Sequence, residues 1–320
     1  MTNARRIPVV NLEHYRSGTA EERARFVQVY GEGLREFGFV TVNNHGVDDA
    51  LIRRTYGHLE AFYKLPEEVK KTYDVPGGAG QRGYTGYGKE HAKNRAVGDL
   101  KEFWHVGREV EPGHRYADIY KPNVWPAEVP GFKDDAIALY DQFDALGKTL
   151  LEALAAYFDL PEDTFASMAK GGNSVLRAIH YPPLKDRLIP GGVRAAEHED
   201  INLITMLCES TAGGLELLTR DGEWMPVGAL DGQIVVDSGD MLQRVTNGVI
   251  PATTHRVVNP TSEADDKVRY SMPFFVHPYP DCSMAPVSKF VGEGYPTPPP
   301  ELTAQQFLEQ RLREIGLLKA

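Results

Sequence analysis

The sequence predicts a mainly β protein with flanking helices: a closed barrel or double-sheet jelly roll behind an α-rich N-terminal region. Three observations carry this expectation. The texture changes near residue 170, the stretch after Val175 breaks into at least seven short β-rich runs split by Gly, Pro and Asp, and the stretch before it shows helical periodicity with a cap signature.

The elements follow in order. Thr19-Ala20-Glu21-Glu22 is a capping box, and Phe26, Tyr30, Leu34 and Phe37 then recur at helical spacing until Gly38 stops the run. Residues 38–47, GFVTVNNHGV, alternate like a strand and end in a turn. Leu51, Ile52, Tyr56, Leu59 and Phe62 mark a second helix that Pro66 closes, and Ile137, Tyr140, Phe143, Leu146, Leu150 and Leu154 mark a third. The β-rich runs are VLRAIHY, INLITML, GLELL, EWMPV, QIVVD, THRVV and VRYSMPFFV. A last helix opens with a second capping box, Thr303 to Gln306, after the lead-in Pro298–Pro300, with Gly316 as its expected stop.

Composition bounds the function. Hydrophobic residues at 42% and charged residues at 25% describe an ordinary globular chain with ample material for a core. A formal net charge of -10 argues against a dedicated nucleic-acid binder. No apolar stretch approaches the roughly 20 residues of a membrane span, and the N-terminus lacks the apolar run of a signal peptide. A cytoplasmic protein is expected, with Cys208 and Cys282 remaining thiols rather than pairing.

The most informative motif is His198-Glu199-Asp200, answered 57 residues later by His255. Two imidazoles and one carboxylate are the donor set of the facial triad that holds non-haem Fe(II) while leaving positions open. On a strand, His198 and Asp200 share a face and Glu199 points away, so the pair can chelate one ion, with His255 arriving from a second strand. The competing reading is an acidic surface turn, EHED, beside an ordinary histidine. In VRYSMPFFV, Arg269 and Ser271 also share a face, an arrangement suited to a carboxylate, because a guanidinium directed into a barrel needs an anion. Its competitors are an exposed arginine or one paired with Asp237 or Asp240.

Several motifs point elsewhere. Gly78-Ala79-Gly80-Gln81-Arg82-Gly83 matches GxGxxG but lacks the strand–helix context that seats a pyrophosphate, and Gly88-Lys89-Glu90 lacks the hydroxyl of a phosphate loop. His45 and His105 have no partner at ligand spacing and are expected to be structural. Arg82, Tyr84 and Tyr87 are candidates for substrate contact, and Phe275, on the Arg269 face, for a pocket wall.

Nearly the whole chain resembles the Fe(II)/2-oxoglutarate-dependent oxygenases, in the isopenicillin N synthase-like branch. The likeness runs from IPVVNL through GFVTVNNHGV and KLPEEVKKTY to HEDINLITML, GDMLQRVTNGVIPATTHRV and RYSMPFF. The resemblance implies a double-stranded β-helix (jelly-roll) core over 171–285, an α-rich region over 1–170 packed on it, and a C-terminal extension with a helix over 286–320, all one integrated unit. It implies His198, Asp200 and His255 as iron ligands, with Arg269 and Ser271 binding the distal carboxylate of 2-oxoglutarate. Many relatives carry Asn-Tyr-Tyr-Pro-Pro before the metal strand; here Ile179-His180-Tyr181-Pro182-Pro183 keeps the second tyrosine as a 2-oxoglutarate contact, Tyr181, but replaces the amide with Ile179.

The function so implied is a dioxygenase that uses Fe(II), O2 and 2-oxoglutarate, with ascorbate in support. It would hydroxylate, desaturate or cyclise a small molecule such as an amino acid, peptide or secondary metabolite, releasing succinate and CO2, with neither nucleic acid nor membrane as partner. Two alternatives stand beside it: an iron oxidase of the same fold that needs no 2-oxoglutarate, which Ile179 favours, and a non-catalytic metal-bearing binding protein. The sequence leaves the oligomeric state open.

Overall fold

The computed structural model describes residues 6–93, 95, 97–185, 187–208, 210–228, 232–315 and 317–318. In chain order it holds β1 (Val9–Asn11), α1 (Leu12–Arg16), α2 (Ala20–Phe37), β2 (Phe39–Asn43), α3 (Asp49–Tyr63), α4 (Glu67–Lys71), β3 (Gly83–Thr85), β4 (Glu102–Gly107), α5 (Phe132–Tyr157) and α6 (Asp163–Ala169). There follow β5 (Val175–Tyr181), β6 (Ala195–His198), β7 (Ile204–Cys208), β8 (Leu215–Leu218), β9 (Trp224–Pro226), β10 (Ile234–Ser238), α7 (Asp240–Val245), β11 (His255–Val257), β12 (Arg269–Ser271), β13 (Pro273–Val276) and α8 (Ala304–Glu314).

The strands form two sheets. The larger runs β1-β2-β10-β7-β13-β5-β4-β3, with β12 also on β5, and the smaller runs β6-β11-β8-β9. Two apolar clusters bridge them: Phe39 and Val235 meet Leu217, while Phe103, Ile179 and Tyr181 meet Ala195 and Val257. This is the expected jelly roll. β1 to β4, all from the helix-rich part, hydrogen-bond straight into the larger sheet through β10 and β5.

The helices cover the outer face of that sheet with the main core. In α5 the positions Leu139, Tyr140, Phe143, Leu146, Leu150 and Leu154 are all buried, and Phe143 stacks on Phe274 of β13 at 5.5 Å between ring centroids. Gly147 permits this closeness, since a Cβ there would lie 2.8 Å from a Val276 methyl. Both capping boxes form, with Thr19 and Glu22 closing α2 and Thr303 and Gln306 closing α8. Gly38 ends α2 at φ 67, a left-handed conformation that suits glycine. Gly316 lies outside the described residues.

Three expectations change. The second helix stops at Tyr63, and Pro66 instead opens α4, where its missing N–H has no helical partner to lose. VRYSMPFFV splits at Met272, because β12 pairs only with β5 while β13 also pairs with β7. In INLITML the strand begins only at Ile204, and the residues before it form a loop.

On the helix-facing side of β4, Glu102 is 1% exposed and accepts from Lys70 Nζ at 2.8 and 2.9 Å, from His180 at 2.7 Å and from the Tyr84 hydroxyl. His180 is in turn stacked between Tyr63 and Tyr270, with centroids at 4.8 and 5.1 Å. Burial opposes ionisation of Glu102, but the hydrogen bonds from His180, Lys70 and Tyr84 outweigh it and hold the carboxyl at about 2 against an ordinary 4.5. Glu102→Gln strands the Lys70 ammonium and should lower stability by about 3–5 kcal/mol in urea unfolding. Because the folded pKa is depressed, the wild-type advantage is complete above pH 4.5 and drains away as the pH falls toward 2. An equal gap between the two proteins at both ends of that range would contradict this account.

Candidate metal centre and its cleft

His198 ends β6 and His255 begins β11, and antiparallel pairing sets the two directly opposite each other. Their ring centroids lie 4.4 Å apart. Each ring is fixed the same way, through Nδ1 to the carbonyl two residues before it: Ala196 O at 2.7 Å for His198, Thr253 O at 3.1 Å for His255. A backbone carbonyl can only accept, so Nδ1 carries the proton and Nε2 presents its lone pair. Burial, then the neighbouring His255, lowers the pKa of His198 and favours its neutral, ligating form.

Asp200 arrives differently from the expected strand alternation. β6 stops at His198, and Asp200 sits in the loop beyond it. The loop is held by the start of α7, where the amides of Asp240 and Met241 donate to Asp200 O at 2.8 Å and Asn202 O at 2.9 Å. Gly239 allows the approach, as a Cβ there would lie 2.7 Å from Asp200 O and 2.3 Å from Asn202 Oδ1. Asp200 Oδ1 then stands 3.9 Å from His198 Nε2 and 3.8 Å from His255 Nε2, and its Oδ2 accepts from the Thr205 hydroxyl. One ligand atom from each of the three residues falls within 4.8 Å of the others, a spacing one ion can bridge. Two imidazoles and a carboxylate suit Fe(II). Glu199 is exposed at the edge of the cleft and accepts from Thr254.

Asp237, on β10 opposite Thr205, is 5% exposed. Burial, then the charge of Asp200, drives its carboxyl well above the usual range.

The cluster opens into a cleft of about 1160 Å³, counting its mouth, between the two sheets. Arg269, Ser271, Tyr181, Ile179 and Phe275 all line it. Arg269 is 1% exposed; its Nε donates to Ala212 O and Gly213 O at 3.1 and 3.2 Å, and its guanidinium lies 4.9 Å from the Tyr181 ring centroid. No carboxylate meets it among the described residues, and its Nη1 is buried without a partner. Asp240, one of the partners considered for it, pairs instead with Arg311 at 3.1 Å. A buried cation with an unmet donor is a ready seat for a carboxylate.

Other expectations fail. Arg82, Tyr84 and Tyr87 lie away from the cleft. Arg82 packs against Gly107 and donates to Lys121 O at 2.9 Å and Gln81 O at 2.7 Å; Tyr84 serves Glu102; and Tyr87 donates to Arg187 O at 2.9 Å. The GxGxxG stretch runs through turns into β3 rather than a helix. His105 lines the cleft but is held between Gly80 O and Arg177 Nε, a structural role as expected; His45 accepts from the Val47 amide at 3.1 Å. The cleft residues not foreseen are Glu90, Asp99, Lys101, Arg177 and His277, with Leu308, Leu312 and Ile315 from the C-terminal segment. Strand parity signals two of them, for Arg177 shares a face with Ile179 and Tyr181, and His277 with Arg269 and Phe275.

Comparison with known proteins agrees with this geometry. Residues 7–128 match the family model described as non-haem dioxygenase in morphine synthesis N-terminal, and residues 172–278 match the 2OG-Fe(II) oxygenase superfamily. A proline hydroxylase from Petromyces alliaceus is 34% identical over 90% of this chain and 92% of its own length, and a 2-oxoglutarate-dependent dioxygenase from Aspergillus rugulosus is 32% identical over 87% and 90%. Among solved structures, a 2OG-Fe(II) oxygenase family protein from Caulobacter crescentus superposes with TM-score 0.85 at 43% identity, covering 96% of this chain and 98% of that one. A full-length Neurospora crassa protein, solved in complex with alpha-KG and thymine, superposes with TM-score 0.84 at 28% identity, covering 96% of each chain. The chain belongs to the 2OG-Fe(II) oxygenase superfamily. Its reaction class is that of a 2-oxoglutarate- and Fe(II)-dependent dioxygenase.

The Thr205 hydroxyl orients the Asp200 carboxylate, so Thr205→Val should weaken Fe(II) binding about 10–100-fold in anaerobic titration without loss of fold. Equal affinity in the two proteins would remove Thr205 from that role.

Proposed function

We propose that His198, Asp200 and His255 hold Fe(II), that Arg269, Ser271 and Tyr181 receive 2-oxoglutarate, and that the enzyme hydroxylates a small organic molecule. The observation that carries this reading is Arg269, a buried guanidinium with an unmet Nη1 facing the same cleft as the His–Asp–His cluster. Ser271 stands two residues along on the same face of β12, 3% exposed, to add a hydroxyl hydrogen bond.

With Fe(II) bound, the chemistry supplied is oxidative decarboxylation of 2-oxoglutarate by O2 to succinate and CO2, with the second oxygen atom entering a C–H bond of the substrate as a hydroxyl. The chain's own contribution is placement. The carbonyls of Ala196 and Thr253 keep the imidazoles aimed, Thr205 orients Asp200, and Arg269 with Tyr181 fixes the cosubstrate's far end. Ile179 gives that pocket an apolar wall where relatives have an amide, so charge pairing with Arg269 carries a larger share of the grip. No side chain is required as a general base. Ascorbate would support turnover by keeping the metal reduced, and two buried cysteines that remain thiols suit a cytoplasmic setting.

The test is oxygen-dependent succinate release from 2-oxoglutarate by the Fe(II)-loaded protein. His198→Ala and Asp200→Ala should each abolish it. Arg269→Ala should weaken 2-oxoglutarate binding by about 2–5 kcal/mol, read as its Kd in anaerobic titration. An unaltered Kd in that variant would sink the assignment of Arg269.

A further inference from the structure

The buried charges Glu90, Asp99, Lys101 and Arg177 that line the cleft pair with one another, and the exposed Glu199 at its edge accepts from Thr254. Arg177 grips Glu90 through two contacts of 3.0 and 3.1 Å, and Lys101 meets Glu90 at 2.9 Å and Asp99 at 2.8 Å. The Arg177 Nε donates to His105, and its guanidinium carbon lies 4.3 Å from the Phe103 centroid and 5.1 Å from that of Phe275. Burial opposes the ionisation of Glu90, yet Arg177 and Lys101 hold its carboxyl well below the usual range. With Asp200 given to the metal and Arg269 to 2-oxoglutarate, the described lining residues leave no buried lysine or arginine over for a substrate carboxylate. Nor do they leave a buried anion for an ammonium group.

Beside Arg269 and Asp237, one more described side chain in this lining keeps a buried polar atom unmet. His277 is 8% exposed, faces the cleft, and has an Nδ1 that is buried without a partner. Its main chain is anchored independently, with the amide donating to Ser174 Oγ at 3.2 Å. Burial, opposed by the charge of Asp200 and aided by that of Arg177, pushes its pKa down to about 4. The ring is therefore neutral and offers one N–H and one lone pair. A buried polar group left unmet is unfavourable, and calls for a partner that a ligand can provide. The same cleft carries apolar lining from Phe275 on the sheet and from Leu308, Leu312 and Ile315 of the C-terminal segment, while the charges acting on the ring are Asp200 and Arg177.

We propose that His277 is a substrate-recognition residue and that the substrate is an uncharged, partly apolar small molecule presenting a carbonyl, amide or hydroxyl group to its imidazole. This rests on the oxygenase reading above and narrows it, placing free amino acids outside the substrate class.

The test uses the full chain, loaded anaerobically with Fe(II) and saturating 2-oxoglutarate so that Arg269 is occupied. Calorimetry follows matched probes that differ in a carboxylate: N-acetylprolinamide against N-acetylproline, 2-pyrrolidinone against pyroglutamate, and uracil against orotate. The neutral member of a binding pair should bind about tenfold or more tightly than its charged counterpart, and His277→Leu should weaken the neutral member by about tenfold or more. His277→Asn, which keeps an amide at that place, should recover most of the loss, with melting temperatures showing both variants folded. Tighter binding of the charged members, neutral binding untouched by His277→Leu, or no binding by any probe would overturn the proposal. The wild-type charge preference needs no variant, so it decides even where a substitution perturbs folding. Failure of the oxygenase reading is separate and shows as a wild type that releases no succinate.

Discussion

The cross-strand register of His198 and His255 is the constraint on which the site depends. A slip of one residue in β11 would turn His255 to the other face of its sheet and replace it with Arg256 or Thr254. The register is protected from both ends. Apolar contacts at Ala195 and Val257 lock the two strands against Phe103, Ile179 and Tyr181 of the larger sheet. On the other side, Thr253 donates to Phe37 O at 2.9 Å, where Gly38 leaves room because a Cβ would strike Thr253 Oγ1. The helix that ends at Gly38 begins at the Thr19 capping box, so a cap far from the site in sequence helps fix the strand that bears His255.

The cleft is also electrostatically divided. Its carboxylate at Asp200 and its guanidinium at Arg269 are both buried, and Arg269 keeps an unmet Nη1, which is a cost unless a ligand of opposite sign completes it. The remaining buried charges, Glu90, Asp99, Lys101 and Arg177, neutralise one another. Capacity for charged ligands is thus concentrated at two points, while His277 and Asp237 keep one unmet polar atom each in the rest of the lining. A chain of net charge -10 can hold an anionic cosubstrate this way, because local burial around Arg269 outweighs the overall charge.

Much of this was legible in the sequence where the signal is local. Both capping boxes and VLRAIHY appear as read, and parity correctly placed Arg269 and Ser271 on one buried face. Asp200 comes beside the two histidines by a route that strand alternation does not show, since α7 and Gly239 position it. The glycine-rich stretch misled because what it contacts depends on long-range pairing; β3 joins the sheet edge at β4, and that turns Arg82 and Tyr84 into core. Arg177 and His277 carried the parity signal but no motif around them. The ion pairs that define the cleft join loop residues to β5 across about eighty positions, beyond any local pattern.

The most direct measurement is X-ray absorption at the iron edge on the anaerobic Fe(II) protein. Two imidazole nitrogens with oxygen donors completing the shell, and no sulfur, is the predicted result. A sulfur scatterer, or a count of imidazoles other than two, would contradict the account at its centre.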